Sequence, residues 1–448
     1  MIRLNSGKSN ETDDLLRAAP EASMMVELLN RRSTRADLRS RLQRMLGSDS
    51  HLGTCRWDRV RIRPGRGARV WMTASVAEAS TTHNRSVMAE WGEVGEVFDT
   101  GRCVAQPHSA APFDRLIDDG DPRVAVSPYD PSHPDLAALL DPAEVADRLG
   151  VSSRLGPRIE TVRYRPGERH VLRYQFSSED GAGQWVRYAK VTLPGEAVER
   201  FAHAMSFSEG VQAAGGPQVI RPSDLIGDAV VYPATGGLPI SKLEPADVRT
   251  VAEQLDAAGA ALAGIHRARL EAVTTSRTME EELRITSRAV RVIHALLPSL
   301  SADLTAMLER LAQRAQGGDS EPVVVLHGDM KLDHLHRCHG GLVIIDTDRA
   351  GRGETALDIG NLLADVWWWL RREPDSRRTM ARTAVLDGYG TVDGPRIRIV
   401  EALALLRIAS RRAPILDVRW ANDIRTAVKA AATLTNSVAG RSPLVRRR

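Results

Sequence analysis

The sequence predicts an α+β protein with two lobes, a small β-rich lobe followed by a helical lobe. Three patterns predict this arrangement. Strand-like runs separated by turn residues fill residues 158–193, and apolar residues at helical spacing dominate the chain after Gly237. A short polar hairpin rich in acids, residues 324–354, interrupts the helical part. A small sheet next to a helical body gives an α+β fold, and we expect a ligand in the cleft between the lobes.

The chain has 448 residues, which is enough for two or three packed units. We divide it into a helical N-terminal segment (1–50), an extension (51–150), a β-rich lobe (151–235) and a helical lobe (236–448).

The N-terminal segment carries apolar residues at helical spacing and predicts two short amphipathic helices between residues 11 and 46. These apolar residues are Leu15, Leu16, Met24, Met25, Leu28, Leu29, Leu38, Leu42 and Leu46. We expect this segment to be a cap or an interaction element, with a protein partner as one alternative.

The extension opens with two strand-like runs around a Pro-Gly turn, "WDRVRIRPGRGARVWMTASV". A similar unit returns as "ETVRYRPGERHVLRYQF", where Val162, Arg163, Arg165, Pro166 and Gly167 match Val60, Arg61, Arg63, Pro64 and Gly65. One interpretation is an extra hairpin in the sheet of the β-rich lobe; the other is chance reuse of a Pro-Gly turn in an arginine-rich chain. Residues 127–150 indicate a linker that ends in a helix near Asp141 to Leu149.

The β-rich lobe shows strand, turn, strand, strand from residue 158, and then a helix in "GEAVERFAHAMSFSEGV". Strands are expected around "PQVI" and "DAVVYPATGG". Three helices follow in the helical lobe, within "ADVRTVAEQLDAAGAALAGIHRARL", "MEEELRITSRAVRVIHALL" and "SADLTAMLERLAQRAQ".

The charge pattern argues against nucleic-acid binding. The 61 basic residues lie among 57 acids, the net charge is +4, and no dense basic block with aromatic residues occurs. Only five of the basic residues are lysines. Three separated cysteines predict neither a disulfide framework nor a zinc site, and we expect a reducing cytoplasm. The chain shows no signal-peptide core and no membrane-spanning run, so no membrane is expected.

The acidic hairpin combines two strand-like runs that each end in acids. Val323 to Leu326 precede His327, Gly328 and Asp329, and "GLVII" precedes Asp346 and Asp348. We expect the two runs to pair through a Gly-Gly turn and to bring these acids together. Such carboxylates suit phosphoryl transfer, because one orients the attacking hydroxyl while others hold a divalent cation on the nucleotide phosphates.

The same stretch resembles the aminoglycoside phosphotransferase and choline kinase-like family. The family's signature is HGDxxxxN followed by an I-D-x-x-R-A-G-x-G-x-x-x-x-D segment, and this chain reads "HGDMKLDH" and "IDTDRAGRGETALD". The resemblance covers residues 158–440 and implies a protein-kinase-like fold, ATP or GTP as phosphate donor, and a hydroxylated acceptor. It implies that Asp329 is the catalytic base and that Asp346 is the principal metal ligand, with Asp358 as a structural aspartate.

His334 departs from the family signature, which has asparagine at this position. Imidazole is a poor ligand for Mg²⁺, so we expect Asp348 or Asp333 to take a larger share of the metal, or Mn²⁺ to replace Mg²⁺. A second interpretation is a slow or inactive site, as in a nucleotide-binding pseudokinase or scaffold. Lys331 is either a cation facing the transferred phosphate or a solvated loop lysine.

The kinase interpretation also requires a lysine for the α- and β-phosphates, paired with a glutamate on the next helix. Lys190 is the candidate, with Glu199 favoured over Glu196 as its partner. We expect the turn at Gly167 to let the backbone approach the nucleotide. The backbone of Val231, Tyr232 and Ala234 is the candidate for binding the adenine edge; the alternative is that this run is only an edge strand.

The acceptor is left open by the sequence. Aminoglycosides, other antibiotics, sugars, choline-like alcohols and Ser or Thr side chains of a precursor peptide all fit the family. Arginine-rich C-terminal helices favour an anionic, neutral or peptidic acceptor over a polycationic aminoglycoside.

Overall fold

A computed structural model describes most of the chain. The described residues are 22–46, 50–64, 67–78, 81–91, 117–118, 122–151, 156–178, 183–269, 273, 275–316, 322–391 and 393–437. Gly65, Leu15 and Leu16 of the sequence predictions lie outside them. The described part divides into two compact units. The first contains residues up to Glu199 with 222–234 and 414–417, and the second contains 200–221, 235–413 and residues from Val418 onward.

The first unit begins with the two predicted helices and then forms a five-stranded sheet. The helices are α1 (Ala22–Asn30) and α2 (Arg32–Arg44), and the strands are β1 (Ser50–Arg63), β2 (Gly67–Glu78), β3 (Thr81–Trp91), β4 (Ile117–Asp118) and β5 (Arg123–Val126). Their order is β1-β2-β3-β5-β4. Near the end of the chain, the carbonyl of Ile415 accepts a hydrogen bond from Asn30 Nδ2 at 3.2 Å.

A second five-stranded sheet follows in the same unit. Helix α3 (Pro142–Arg148) precedes β6 (Arg158–Arg165), β7 (Arg169–Ser177) and β8 (Gln184–Val191), and β10 (Asp224–Ile226) and β11 (Ala229–Pro233) complete the order β10-β11-β8-β7-β6. Across the described residues the β1–β2 hairpin pairs only within the first sheet, so the prediction that it extends the second sheet is wrong. Strand β3, which arises later in the extension, pairs with β2 instead, and β5 pairs with β3.

The segment predicted as a linker belongs to the core of this unit. Leu136, Leu139 and Val145 are fully or almost fully buried, and they pack in one apolar cluster with Tyr174 and Phe176 of β7. The predicted helix is present as α3, capped by Asp141, whose side chain accepts from the backbone N–H of two residues in the first turn. Burial of this segment shows that the extension and the β-rich lobe form one unit.

The second unit is mainly helical, as predicted. Its helices are α5 (Val248–His266), α6 (Met279–Leu296), α7 (Ser301–Gln316), α8 (Thr355–Trp369), α9 (Asp375–Tyr389), α10 (Pro395–Arg412) and α11 (Trp420–Ser437), and α4 (Ala197–Ala213) enters it from the first unit. Helix α10 contacts α6, α8 and α11, and its apolar residues are buried on nearly every side.

Two small sheets lie among these helices. One has the order β12-β14-β15-β9, formed by β9 (Gln218–Val219), β12 (Leu238–Pro239), β14 (Leu335–Cys338) and β15 (Gly341–Ile344). The other pairs β13 (Val323–Leu326) with β16 (Gly351–Glu354). The predicted pairing of the two acidic runs is therefore wrong. The second run, β15, pairs with β14 through the Gly-Gly turn, whereas β13 pairs with β16, which follows both of them in the chain. The fold class is α+β as predicted, with a β-rich first unit and a helical second unit.

Candidate active site

The loop that follows β13 is fixed by a buried carboxylate. Asp358 of α8 accepts hydrogen bonds from the backbone N–H groups of His327 at 2.7 Å and Gly328 at 2.9 Å. Burial raises the pKa of Asp358, but the hydrogen bond from His266 and the nearby charges outweigh it and hold the pKa below its usual range. An ionised Asp358 thus sets the backbone immediately before Asp329.

Gly328 is required by this loop. Its φ is 77°, in the left-handed region, and a Cβ there would lie 1.9 Å from the backbone oxygen of Arg349. The neighbouring His327 donates from Nε2 to the backbone oxygen of Ile345 at 3.0 Å. That bond joins the end of β13 to the end of β15, so the two acidic runs meet without pairing as strands.

Asp365, which the sequence analysis did not single out, holds the next part of the loop. Its Oδ2 accepts from the Leu332 N–H at 2.8 Å, and Arg412 of α10 bonds its other oxygen. Asp365 lies seven residues after Asp358, two turns along the same face of α8. An acid inside the apolar run "LLADVWWW" was the available sequence signal.

Three of the predicted residues come together at the end of this loop. One ligand atom each from Asp329, His334 and Asp346 lies within 4.8 Å of the other two. Asp346 has a φ of 64° and is the one non-glycine residue with positive φ among the described residues. Aspartate tolerates this conformation better than most residues, and it turns the side chain toward His334.

The contacts of His334 define which of its nitrogens faces the cluster. Its Nδ1 lies 3.0 Å from the backbone oxygen of Asp329, an acceptor, so Nδ1 carries the hydrogen. Its Nε2 lies 3.0 Å from Asp346 Oδ2. Burial lowers the pKa of His334, and this effect exceeds the opposing effect of Asp346. In the neutral ring a nitrogen lone pair therefore faces a carboxylate, an arrangement that a cation between them stabilises.

Lys331 contacts the predicted base rather than lying free in solvent. Its Nζ is 2.9 Å from Asp329 Oδ2, and its side chain is largely buried. Burial raises the pKa of Asp329, but the charge and the hydrogen bond of Lys331 oppose it, and the pKa lies below the usual range. Asp329 is accordingly ionised at neutral pH.

Asp333 and Asp348, the other two acids considered as metal ligands, lie outside the cluster of three residues. Asp333 accepts a hydrogen bond from the Ser241 hydroxyl and is exposed. Asp348 is half-buried, but it is not a member of the cluster of Asp329, His334 and Asp346. Its predicted share in metal binding stays a prediction.

A model of the phosphotransferase enzyme family matches residues 161–399, more than half of the chain. The chain belongs to this family. The match contains the loop after β13, the three clustered residues and Asp358, and it leaves out the helical N-terminal segment and the extension.

Solved structures similar to this family member include three antibiotic kinases. An amicoumacin kinase in complex with AMP-PNP, Ca²⁺ and Ami has 15% identity and a TM-score of 0.43, covering 63% of this chain and 90% of that one. An aminoglycoside phosphotransferase from Streptomyces rimosus has 21% identity and a TM-score of 0.39, and the match covers 56% of this chain and 92% of that one. A macrolide 2′-phosphotransferase from Brachybacterium faecium has 16% identity and a TM-score of 0.39, and the match covers 68% of this chain and 99% of that one.

No curated protein matches this phosphotransferase-family chain. Among its described helices, none has the length and apolar character that crossing a lipid bilayer requires.

The predicted nucleotide residues of this family member lie in the first unit. Lys190 is half-buried in β8, with Nζ 5.2 Å from the ring centroid of Tyr232. Glu199 is exposed in the first turn of α4, and Glu196, the alternative partner, is half-buried just before that helix. The pairing of Lys190 with either glutamate stays a prediction.

The backbone groups predicted to contact adenine are engaged within the second sheet. The Ala234 N–H donates to the Val186 carbonyl at 3.0 Å, and the Val231 carbonyl accepts from the Ser223 N–H at 2.8 Å. Strand β11 lies between β8 and β10, which explains why these groups are used. The role of this backbone in binding the adenine edge stays a prediction.

Gly167 has a φ of 70° in the turn between β6 and β7. Its N–H donates to Asp130 Oδ2 at 2.8 Å. The Gly167 amide therefore bonds to a side chain of the extension, and the approach of the turn's backbone to the nucleotide stays a prediction.

Proposed function

We propose that this protein is an ATP-dependent phosphotransferase that transfers the γ-phosphoryl group to a hydroxyl of a small molecule or a peptide. The observation that supports this best is the convergence of Asp329, His334 and Asp346, with Lys331 beside the first of them. GTP is an alternative donor.

In this proposal Asp329 orients the acceptor hydroxyl and takes its proton. Its lowered pKa leaves it ionised and able to accept a hydrogen bond from an alcohol at neutral pH. Lys331 carries a positive charge next to this position and neutralises charge on the transferred phosphoryl oxygens. Lys190 would bind the α- and β-phosphates, with Glu199 or Glu196 as its partner.

The donor set fits a divalent cation. Two carboxylates and one imidazole nitrogen converge, and the Nε2 lone pair of His334 faces Asp346. Asp346 and His334 would hold the ion beside Asp329, and Asp348 would add a further oxygen. A bound divalent ion would neutralise phosphate charge during transfer. A nitrogen ligand suits Mn²⁺ better than Mg²⁺, so we propose Mn²⁺ as an effective alternative to Mg²⁺.

The acceptor class is proposed from charge and family. Small molecules with a hydroxyl and Ser or Thr of a natural-product precursor are the candidates, and the arginine-rich α10 and α11 favour an anionic, neutral or peptidic acceptor over a polycation. A protein partner bound by the N-terminal extension stays a prediction.

Intrinsic ATP hydrolysis and nucleotide binding test this function. Asp329→Asn should lower turnover by roughly 10²–10⁴-fold, since a positioned base is lost, while AMP-PNP binding changes little. Asp375→Asn, an exposed acid on α9, is the control and should behave as the wild type. Turnover that Asp329→Asn leaves intact would refute the role of Asp329.

A non-catalytic nucleotide-binding protein is the second candidate, supported by the direct His334–Asp346 contact. In this candidate the contact takes the place of the cation, and the site binds nucleotide without transfer. Nucleotide binding that neither Mg²⁺ nor Mn²⁺ strengthens, with no hydrolysis, would favour this candidate.

A further inference from the structure

The turn between β6 and β7, residues 165–168, is fixed by a buried aspartate of the extension. Asp130 has a fully buried side chain, and its Oδ2 accepts from the Gly167 N–H at 2.8 Å. The bond therefore joins a loop after β5 to a turn 37 residues later in the chain.

Asp130 is itself held by two histidines. His133 Nδ1 and His170 Nε2 each lie 2.8 Å from the same Oδ2, and the Ser132 N–H bonds Oδ1 at 3.0 Å. Burial raises the pKa of Asp130, but the bonds from His133 and His170 outweigh it and hold the pKa well below its usual range. The carboxylate is ionised, which strengthens its bond to Gly167.

These contacts form a hydrogen-bonded network rather than a cation site. Three N–H donors converge on one oxygen at hydrogen-bond distance, and one of them is the Gly167 amide, which cannot bind a metal as a donor. The outer nitrogens, His133 Nε2 and His170 Nδ1, are buried without a hydrogen-bond partner in the described residues. Protonating His170 would bury an unpaired N–H, so a neutral His170 ring fits the site.

The extension contacts the other side of the turn as well. Glu168 lies 3.7 Å from Arg69 of β2 and 4.0 Å from Arg61 of β1. Arg69 is almost fully buried and also bonds Glu90 of β3. Each contact to the half-exposed Glu168 is weak alone, but both come from the first sheet.

The turn lies at the end of the second sheet where Lys190 is placed. His170 pairs with Val191, and Val171 pairs with Lys190. Burial and the neighbouring Arg163 and Arg59 lower the pKa of Arg165 to about 10. Positive charge is therefore crowded at this end of the sheet, and a phosphate group there would relieve the repulsion.

We propose that Asp130 is a positioning residue for nucleotide binding, which fixes the turn at Gly167 beside the phosphate position. This inference rests on the proposed function, in which ATP binds near Lys190 and this turn. Asp130, Arg61 and Arg69 precede the family match at residue 161, so the extension supplies this device. The extension thereby contributes to nucleotide affinity without being required to touch the nucleotide.

Binding of AMP-PNP in the presence of Mn²⁺, measured by titration calorimetry, tests the proposal. Asp130→Ala should raise Kd about tenfold, because a charge-assisted bond to the turn is lost. Asp130→Asn keeps an acceptor for the Gly167 N–H and should raise Kd less. Glu168→Gln, a half-exposed change on the same turn, should raise Kd about twofold.

Asp135→Asn is the matched control. Asp135 lies in the same segment, but it bonds Arg148 and the Asp228 N–H and not the turn. Its substitution should lower the melting temperature and leave Kd at the wild-type value. Asp130→Ala and Glu168→Gln proteins with wild-type Kd would overturn the proposal and leave the proposed function standing.

Amide hydrogen exchange gives a readout that needs no nucleotide. A peptide spanning residues 164–170 should lose protection in Asp130→Ala and keep it in Asp135→Asn. Unchanged protection would refute the role of Asp130 in fixing the turn. If the wild-type protein binds no AMP-PNP, the proposed function is refuted. The predicted effect of Asp130 on nucleotide affinity is then refuted as well.

Discussion

His334 gives the candidate metal site a donor that its family signature does not have. An asparagine offers an amide oxygen, whereas His334 presents an imidazole nitrogen to Asp346 at 3.0 Å. The hydrogen bond from Nδ1 to the Asp329 carbonyl fixes the orientation of the ring, so this nitrogen cannot easily turn away. The ring thus links the predicted base and the predicted metal ligand.

His334→Asn should shift metal preference from Mn²⁺ toward Mg²⁺ by about tenfold, because an oxygen ligand replaces nitrogen. Mn²⁺ binding measured by electron paramagnetic resonance, with Mg²⁺ as competitor and AMP-PNP present, reports this directly. His336→Asn is the control, since His336 bonds Thr235 outside the cluster. If the ratio of Mn²⁺ affinity to Mg²⁺ affinity is the same in the wild type and in His334→Asn, the ligand role of His334 is contradicted.

Helix α8 positions the loop after β13 from one face. Asp358 binds the start of the loop and Asp365 binds Leu332, three residues beyond Asp329. Both carboxylates are buried, and both accept backbone N–H groups that have no strand partner there. The position of Asp329 is therefore set by the helix and not by β13 alone.

Asp365→Ala should lower the free energy of unfolding by about 1–3 kcal/mol, because the Leu332 N–H loses its acceptor in a buried place. It should also lower turnover more than nucleotide binding, since the loop carries the predicted base. Urea unfolding and intrinsic hydrolysis measure the two effects. Asp375→Ala on the exposed part of α9 should change neither, and an Asp365→Ala protein with wild-type stability and turnover would contradict this role.

The helices and the acid cluster were predictable because their signals are local. Helical spacing marks α5, α6 and α7, and "HGDMKLDH" with "IDTD" marks the cluster. The role of Asp130 had no comparable signal, because "SPYDPSHPD" has the composition of a loop. Its burial depends on His170, 40 residues further along the chain. Strand partners were mispredicted for the same reason, since β13 pairs with β16 across a loop that sequence spacing does not reveal.

At the scale of the whole molecule, the extension and the β-rich lobe share one core. Met88 and Leu136 from the extension pack in one cluster with Leu172 and Phe176 of β7. The Tyr174 hydroxyl also donates to the Leu139 carbonyl at 2.9 Å. The first unit therefore needs residues that precede the family match.

A chain truncated to begin at residue 151 should be insoluble or should lose cooperative unfolding. Each large apolar side chain that it exposes costs about 1.5–3 kcal/mol, and several together exceed the roughly 5–15 kcal/mol by which proteins are stable. Size-exclusion chromatography and circular dichroism melts measure this. Supplying residues 1–150 as a separate chain should restore solubility; a truncated chain that melts like the full-length protein would show that the shared core is dispensable.

The hydrogen bond between Asn30 and Ile415 joins positions 385 residues apart. During synthesis at roughly 5–20 residues per second, α1 leaves the ribosome on the order of tens of seconds before its partner exists. The first unit can therefore be completed only after residue 415 has been synthesised. Until then α1 lacks this hydrogen bond.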